Sequence, residues 1–160
     1  PEYYTENQNE GGAIRRLTSK ELGNKPVIVI IVKGLGLSTS TTERALGLPE
    51  YVNLGFSPYS PTINDWSQKA IEQGHDVLIN IPMETENFRT NDPGPYSLIA
   101  SSSNEDNITR LNMLLSLTDG YVGIYSENDE VFTQKTGNVK AILKKLKEKN
   151  ATFVLSLIHI

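Results

Sequence analysis

The chain has 160 residues, of which 38% are hydrophobic and 21% charged, and this is enough chain to bury the core of one ordinary globular domain. Its formal net charge of -4 at pH 7 argues against nucleic acid as a partner, because phosphate binding calls for a basic face. The lack of cysteine excludes disulfides, thiolate catalysis and cysteine-ligated metals.

The chain opens with a polar arm that gives way to a regular pattern. Residues 1–25 are rich in Asn, Glu and Gly and lack clear periodicity, which predicts a linker or a loosely attached arm.

Residues 26–160 are predicted to form one β/α domain. Its first segment, 26–32, is the longest apolar run, and it is far shorter than the roughly 18 residues of a membrane span, so no span is expected. The β-branched residues of this run predict a first strand over 27–32, buried on both faces.

Four further strands alternate with helices along the rest of the chain. Residues 40–43 (STTE) fit a capping box, in which a Ser hydroxyl and a Glu carboxylate satisfy free amides at a helix start. A second capping box, 102–105 (SSNE), follows a long loop over 82–101. Apolar runs predict the four strands over 52–56, 77–81, 120–125 and 152–157.

This strict alternation predicts an α/β fold of parallel β/α repeats with right-handed crossovers. Two architectures fit: a five-stranded open sheet of the flavodoxin type, and a (β/α) barrel, which would be partial because the closed form needs roughly 200 residues or more. Periodicity does not choose between them. Both bind ligands at the carboxyl ends of the strands, so four segments are expected to share one rim: 33–38, 57–60, 82–92 and 126–133.

Six motifs occur in order between about Lys25 and Phe153. They are VIIVKGLGLS with TTERA (29–45), NLGFSPY (53–59), GHDVL (74–78), IPME (81–84), NDPGP (91–95) and GYVG (120–123). In sequence and spacing they resemble the divergent polysaccharide deacetylase family. The resemblance implies a partial irregular (β/α) barrel of deacetylase type, related to metal-dependent carbohydrate deacetylases, and favours the barrel over the open sheet. It makes residues 26–160 an N-terminal, apparently truncated portion of such a barrel.

The chain departs from the family at the residues that carry its chemistry. At the end of the first strand the family usually places two adjacent Asp residues, one a metal ligand and one a catalytic base. Here those positions hold Lys33 and Gly34. The loss of two carboxylates and the gain of an ammonium both oppose binding of a divalent cation such as the zinc of intact relatives. We therefore predict vacated metal positions and no metal cofactor in this chain. After Gly123 the family tends to carry Asn and His or Tyr, whereas residues 125–129 read YSEND.

The remaining rim residues supply the other candidates. Glu84 follows the third strand, where related deacetylases place metal-ligand histidines, and is the candidate catalytic residue; the alternative is a loop carboxylate exposed to water. Asn91 and Asp92 are candidates for substrate binding, although Asp92 before a proline also suits a turn. Tyr59 is a third substrate-binding candidate, because it and Tyr96 could stack on a sugar face.

Two features are interpreted as structural. His75 follows a glycine at a helix end and is expected to make a cap interaction. Lysines cluster near the end of the last helix at positions 144, 145, 147 and 149, where cations suit the helix dipole, and they are interpreted as a solvated face.

The leading functional hypothesis is a carbohydrate-active domain that hydrolyses acetyl groups on a cell-envelope glycan if active. The resemblance implies a periplasmic or envelope-associated location and a carbohydrate partner. The alternative is a non-catalytic glycan-binding or scaffolding domain that has lost the metal site, and a phosphate or nucleotide binder on an open sheet rests on element order alone. The chain is predicted not to bind zinc tightly or deacetylate an oligosaccharide. As a separate chain it is predicted to be marginal or aggregation-prone, because its fifth strand leaves an apolar edge.

Overall fold

The computed structural model describes residues 3–6, 14–17, 28–86, 94–127 and 130–156. Within the arm, β1 (Tyr3–Glu6) and β2 (Ile14–Leu17) pair antiparallel. This pairing was not predicted, because strands of four residues are too short to show a clear period of two.

Five parallel strands form the main sheet, and each is hydrogen-bonded to the next one along the chain. The predicted α/β class with parallel repeats is therefore confirmed. The alternative of a flavodoxin-like sheet is wrong, because that fold places its second strand outside the first, in the order 2-1-3-4-5. Sequential order is the order of a barrel. The strands are β3 (Ile31–Leu35), β4 (Asn53–Phe56), β5 (Val77–Asn80), β6 (Gly123–Glu127) and β7 (Thr152–Ser156).

The first strand of the sheet begins four residues later than predicted, and its lead-in is not buried. Ile28, Val29 and Ile30 are 88%, 57% and 48% exposed. The reason is position: within the described residues β3 pairs only with β4, so it is an edge strand. As a result Lys33 and Gly34 lie inside the strand, at an irregularity in its pairing, and not beyond its end.

Helices connect the strands, and their starts differ slightly from the predicted capping boxes. Ser38 caps the first helix, two residues before the predicted box, because Thr42 is buried with its hydroxyl accepting from Gly36 N at 2.9 Å. Ser103 caps the third helix; its hydroxyl accepts from Asp106 N at 3.0 Å and donates to the Asp106 carboxylate at 2.7 Å. The helices are α1 (Thr39–Leu46), α2 (Ile63–Glu72), α3 (Asn104–Leu115), α4 (Glu130–Thr133) and α5 (Thr136–Glu148).

The two faces of the sheet have different chemistry. One face packs against the helices and forms the apolar core, in which strand residues such as Phe56, Ile79 and Ile124 are fully buried. Because side chains alternate along a strand, the opposite face carries the residues between them. The register pairs Asn80 with Tyr125, so these two share this second face, together with the buried Leu78. Contacts between β3 and β6 across this face, described below, make it the concave face of a curled sheet, so the helix-covered core lies outside the curve.

Candidate functional site

Lys33 and Glu127 form an ion pair across the concave face. Lys33 lies on β3 and Glu127 ends β6, and β4 and β5 separate these strands in the sheet. A contact between strands so far apart in the order requires the sheet to curl, so the pair sits at the carboxyl-terminal mouth of the partial barrel. The two side chains are 42% and 39% exposed, and the pair is open to a ligand.

Tyr125 makes a second link between the same two strands. Its hydroxyl accepts a hydrogen bond from Gly34 N at 3.2 Å, and its side chain is almost fully buried. The ring passes over Gly55 on β4, where a Cβ atom would stand only 2.7 Å from Cε1 of the ring. Gly55 therefore leaves the space that Tyr125 occupies. We call the four residues Lys33, Gly34, Tyr125 and Glu127 the β3–β6 clasp.

The environment of Tyr125 keeps its phenol neutral. Burial raises the pKa of Tyr125 to about 12; the Gly34 N–H works against this rise, and the charge of Glu127 adds to it. At neutral pH the hydroxyl is thus a hydrogen-bonding group and not a base. Sequence reasoning missed both Tyr125 and Glu127, although Glu127 lies in the predicted rim segment 126–133.

The two vacated metal positions, Lys33 and Gly34, differ in their surroundings and so in how an acidic side chain would fit there. Gly34 has φ +74, and a Cβ atom there would have no neighbour within 4 Å. An acidic side chain would find room, but the left-handed backbone costs roughly 1–2 kcal/mol for most residues and less for Asp. Lys33 is held by Glu127.

Glu84, the predicted catalytic residue, anchors the connection between β5 and α3. Its carboxylate accepts a hydrogen bond from Ala100 N at 2.6 Å, and its own N–H donates to Leu98 O at 2.9 Å. Asn138 on α5 binds the same segment by donating to Ala100 O at 3.2 Å. These bonds give Glu84 a structural task; its catalytic role stays a prediction.

Of the three substrate-binding candidates, Tyr59 lies among the described residues. Tyr59, which follows β4, and Tyr96, which lies between β5 and α3, stack with ring centroids 5.7 Å apart and planes 17° from parallel. Gly94 allows this, because a Cβ atom there would collide with the Tyr59 ring. Tyr59 remains 36% exposed, so the stack presents an aromatic surface at the rim. Asn91 and Asp92 lie outside the described residues.

The described residues do not fit a zinc ion at the mouth. No three His, Asp or Glu side chains among them are grouped as a metal site. Glu127 is engaged by Lys33 and Glu84 by Ala100. His75 is buried away from the mouth, with its ring nitrogens 2.9 Å from Val52 O and 3.1 Å from Leu46 O, the last residue of α1. These contacts agree with the predicted structural role, but the helix end that His75 contacts is that of α1 and not that of α2, which it follows.

Taken together, the sequential sheet and its mouth define a partial (β/α) barrel with a polar concave face. Residues 30–159 match the family model described as divergent polysaccharide deacetylase, and the chain belongs to this family. None of the helices in the described ranges has the length and apolarity to cross a membrane.

Among the proteins similar to this chain are one curated relative and one solved structure. The uncharacterized protein YibQ of Escherichia coli (strain K12) is 23% identical over 146 residues, which cover 91% of this chain and 44% of YibQ. The crystal structure of the uncharacterized protein ATU2773 from Agrobacterium tumefaciens C58 matches with a TM-score of 0.76 and 28% identity, over 80% of this chain and 52% of that one. The chain thus spans about half the length of these two proteins.

Proposed function

We propose that this chain is a glycan-binding domain that keeps the deacetylase fold without metal-dependent hydrolysis. The observation that carries the proposal is the Lys33–Glu127 ion pair at the mouth. A divalent cation placed there would meet the Lys33 ammonium and would have to displace it from the Glu127 carboxylate. Both effects oppose metal binding, and without a metal the usual route to an activated water is missing.

The same mouth offers what a sugar needs. The stacked Tyr59 and Tyr96 rings provide an apolar surface for the C–H face of a pyranose. Lys33 and Glu127 provide a donor and an acceptor that are partly exposed and suited to hydroxyl groups. In line with the family name, we propose an acetylated polysaccharide of the cell envelope as the ligand and the periplasm or envelope as the location.

The test of binding compares two tyrosines at opposite ends of β4. Tyr59→Ala should weaken the binding of N-acetylated chito-oligosaccharides by roughly tenfold, the value of one stacking contact. Tyr51→Ala is the matched control, because Tyr51 is 44% exposed but precedes β4, at the end away from the mouth. Isothermal titration calorimetry measures both. Equal losses in the two variants, or no binding by the unaltered protein, would contradict the proposal.

The test of chemistry uses zinc. The unaltered protein should show neither zinc binding in calorimetry nor acetate release from the oligosaccharide. Lys33→Asp combined with Gly34→Asp in the full-length protein should gain zinc affinity, because it removes the ammonium and adds two oxygen ligands. Micromolar or tighter zinc binding by the unaltered protein would overturn the proposal and make Glu84 the first residue to mutate.

A further inference from the structure

Three lysines form a line along the outer side of α5. Lys140, Lys144 and Lys147 are spaced i, i+4 and i+7, so they fall within roughly 60° of one another around the helix axis. All three are exposed. The opposite side of the helix is fixed against the core by the buried Ile142 and Leu146. We call these three residues the α5 lysine stripe.

The stripe lies in a positively charged segment of a chain whose net charge is negative. Residues 135–149 contain six lysines and one glutamate, whereas the whole chain carries a net charge of -4. That one acid, Glu148, pairs with Lys145 at 3.2 Å, and Lys145 is not part of the stripe. No ion pair to a stripe lysine is found among the described residues.

Helix stability does not account for this arrangement. Cations stabilise the last turn of a helix through its dipole, which suits Lys145 and Lys147. Lys140, however, is the fifth residue of the 13-residue helix and lies in its first half, where the dipole does not favour a cation. Like charges three and four positions apart also repel each other. The line of lysines therefore costs stability that a bound anion would restore.

The shape of the stripe indicates the kind of anion. The three lysines extend over about 10 Å of helix, which suits a linear polyanion better than a single small anion. The exposed Leu143 lies to one side of the stripe and not within it, so the apolar face by which interfacial helices enter a membrane is missing here. The stripe also lacks the arginine and aromatic side chains on which nucleic acid bases stack.

We propose that the α5 lysine stripe binds a polysaccharide that carries carboxylates. This inference rests on the proposed glycan-binding function and deepens it, since it adds a second, electrostatic contact and makes the polymer acidic. The mouth would bind one sugar by stacking, and the stripe would bind the charge of a neighbouring part of the polymer or of an adjacent chain.

The experiment measures binding of polygalacturonate and of its methyl ester, which has the same backbone without the charge. Affinity electrophoresis at 20 and 200 mM salt should show binding of the acid form that weakens with salt, and weaker, salt-insensitive binding of the ester. Lys140→Gln with Lys144→Gln should reduce affinity for the acid form roughly fivefold, as expected for two exposed ion pairs. Arg44→Gln with Lys69→Gln removes the same charge from α1 and α2 and should leave the affinity unchanged.

The outcomes separate this inference from the proposed function. Equal binding of acid and ester forms, equal losses in both double variants, or stripe-dependent binding only to phosphatidylglycerol vesicles or to single-stranded DNA would overturn it. If Tyr59→Ala loses binding of the N-acetylated oligosaccharide but the polygalacturonate test fails, the inference about the stripe is wrong and the proposed glycan site stands. If the polygalacturonate test succeeds but Tyr59→Ala keeps its oligosaccharide binding, the stripe binds the acidic polymer and the proposed glycan site is wrong.

Discussion

At the scale of single residues, the clasp depends on two glycines and one phenol. Gly55 must lack a side chain for the Tyr125 ring to cross the concave face, and the positive φ of Gly34 presents its N–H to the Tyr125 hydroxyl. Glu127, two residues beyond Tyr125 on the same face, then reaches Lys33. Tyr125 and Glu127, two inward residues of β6, thus bind the adjacent residues Gly34 and Lys33 of β3.

The shifted titration of Tyr125 makes stability depend on pH in the alkaline range. Its pKa is about 12 in the folded chain, against an ordinary value of 10.0 for a tyrosine in water. Above pH 10 the unfolded chain loses this proton while the folded chain keeps it, so the stabilisation is complete below pH 10 and is lost as the pH rises through 12. By pH 12 the loss approaches roughly 2–3 kcal/mol.

Tyr125→Phe should remove this part of the pH dependence and should cost roughly 1–2 kcal/mol at pH 8, because Gly34 N loses its acceptor. Urea unfolding at intervals from pH 8 to 11.5 measures both effects. Tyr51→Phe, at an exposed position, should follow the unaltered protein throughout. Parallel curves for Tyr125→Phe and the unaltered protein above pH 10 would show the idea to be wrong.

The contacts of the clasp were not predicted from the sequence. Lys33 and Gly34 stood out as vacated metal positions, and residues 125–129 as a further departure from the family, because the resemblance gave these positions a role. The Gly34–Tyr125 contact joins residues 91 positions apart, and no local periodicity reports which inward residues of distant strands will meet. For the Tyr59–Tyr96 stack, the sequence predicted that both rings lie near the rim. It did not predict that the two rings contact each other.

At the scale of elements, the connection from β5 to α3 is held firmly at both ends. Met83 and Leu98 form an isolated parallel bridge, and the Glu84 carboxylate binds Ala100 N at 2.6 Å. Asn107, on α3, exchanges two hydrogen bonds of 2.9 Å with the backbone of Ile99. The segment that carries Tyr96 is therefore fixed to the sheet and to α3.

Replacing Glu84 should separate its structural role from the predicted catalytic one. Glu84→Ala should lower the free energy of unfolding by about 1–3 kcal/mol, because the half-buried Ala100 N–H loses a charge-assisted bond. Glu84→Gln keeps a carbonyl acceptor and should cost less, while Glu86→Ala, at an exposed site, should cost little. Thermal and urea unfolding provide the measurement. Acetate release by the unaltered protein that disappears in a fully stable Glu84→Gln variant would instead establish a catalytic acid.

The elements themselves were largely predictable, and their ends less so. β4, β5 and β7 match the predicted spans within one residue. For β4 and β5 the reason is burial, because buried strands in a parallel sheet are continuous apolar runs. β7 is an edge strand with half-buried apolar residues, and its apolar run still marked its span. β3 differs because apolar composition indicates burial, and an edge strand can carry the same residues while its lead-in is exposed. Both helix caps shifted because serine runs offer several cap residues, and tertiary contacts such as Gly36 with Thr42 choose among them.

At the scale of the whole molecule, the sheet curls without closing on itself among the described residues. β3 and β7 are its edges. The β3 edge is preceded by three exposed β-branched residues, a pattern that favours pairing with another chain. The marginal or aggregation-prone behaviour was predicted from the edge of the fifth strand, β7, and it stays a prediction. The β3 edge is a second place where association of the chain can be tested.

Val29→Lys should reduce association of the 160-residue chain, because a lysine on an edge opposes strand pairing. Size-exclusion chromatography with light scattering over a hundredfold range of concentration should show a larger share of monomer than for the unaltered chain. Met113→Lys, 51% exposed on α3 against 57% for Val29, adds the same charge away from the edge and should have little effect. A monomeric unaltered chain with a cooperative, reversible melt would contradict the prediction.

Local sequence patterns predicted only part of the architecture. Alternating strands and helices predicted parallel repeats, but both candidate folds share that alternation, since they differ in the spatial order of the strands. The family resemblance favoured the barrel, and the sequential order confirms this choice. No periodicity encodes that order, because it depends on how each crossover packs against the growing sheet.

The sequential order of the strands also determines the order in which parts of the chain can fold. Each strand pairs with its chain neighbour, so every pairing closes one repeat-sized loop at a modest entropic cost. The clasp instead joins β3 to β6 over 91 positions and can form only after the strands between them have docked. It therefore belongs to the late, native-side stage of folding. Weakening it should leave the folding rate nearly unchanged and accelerate unfolding, so the mouth of the barrel governs the lifetime of the folded state and not the speed of its formation.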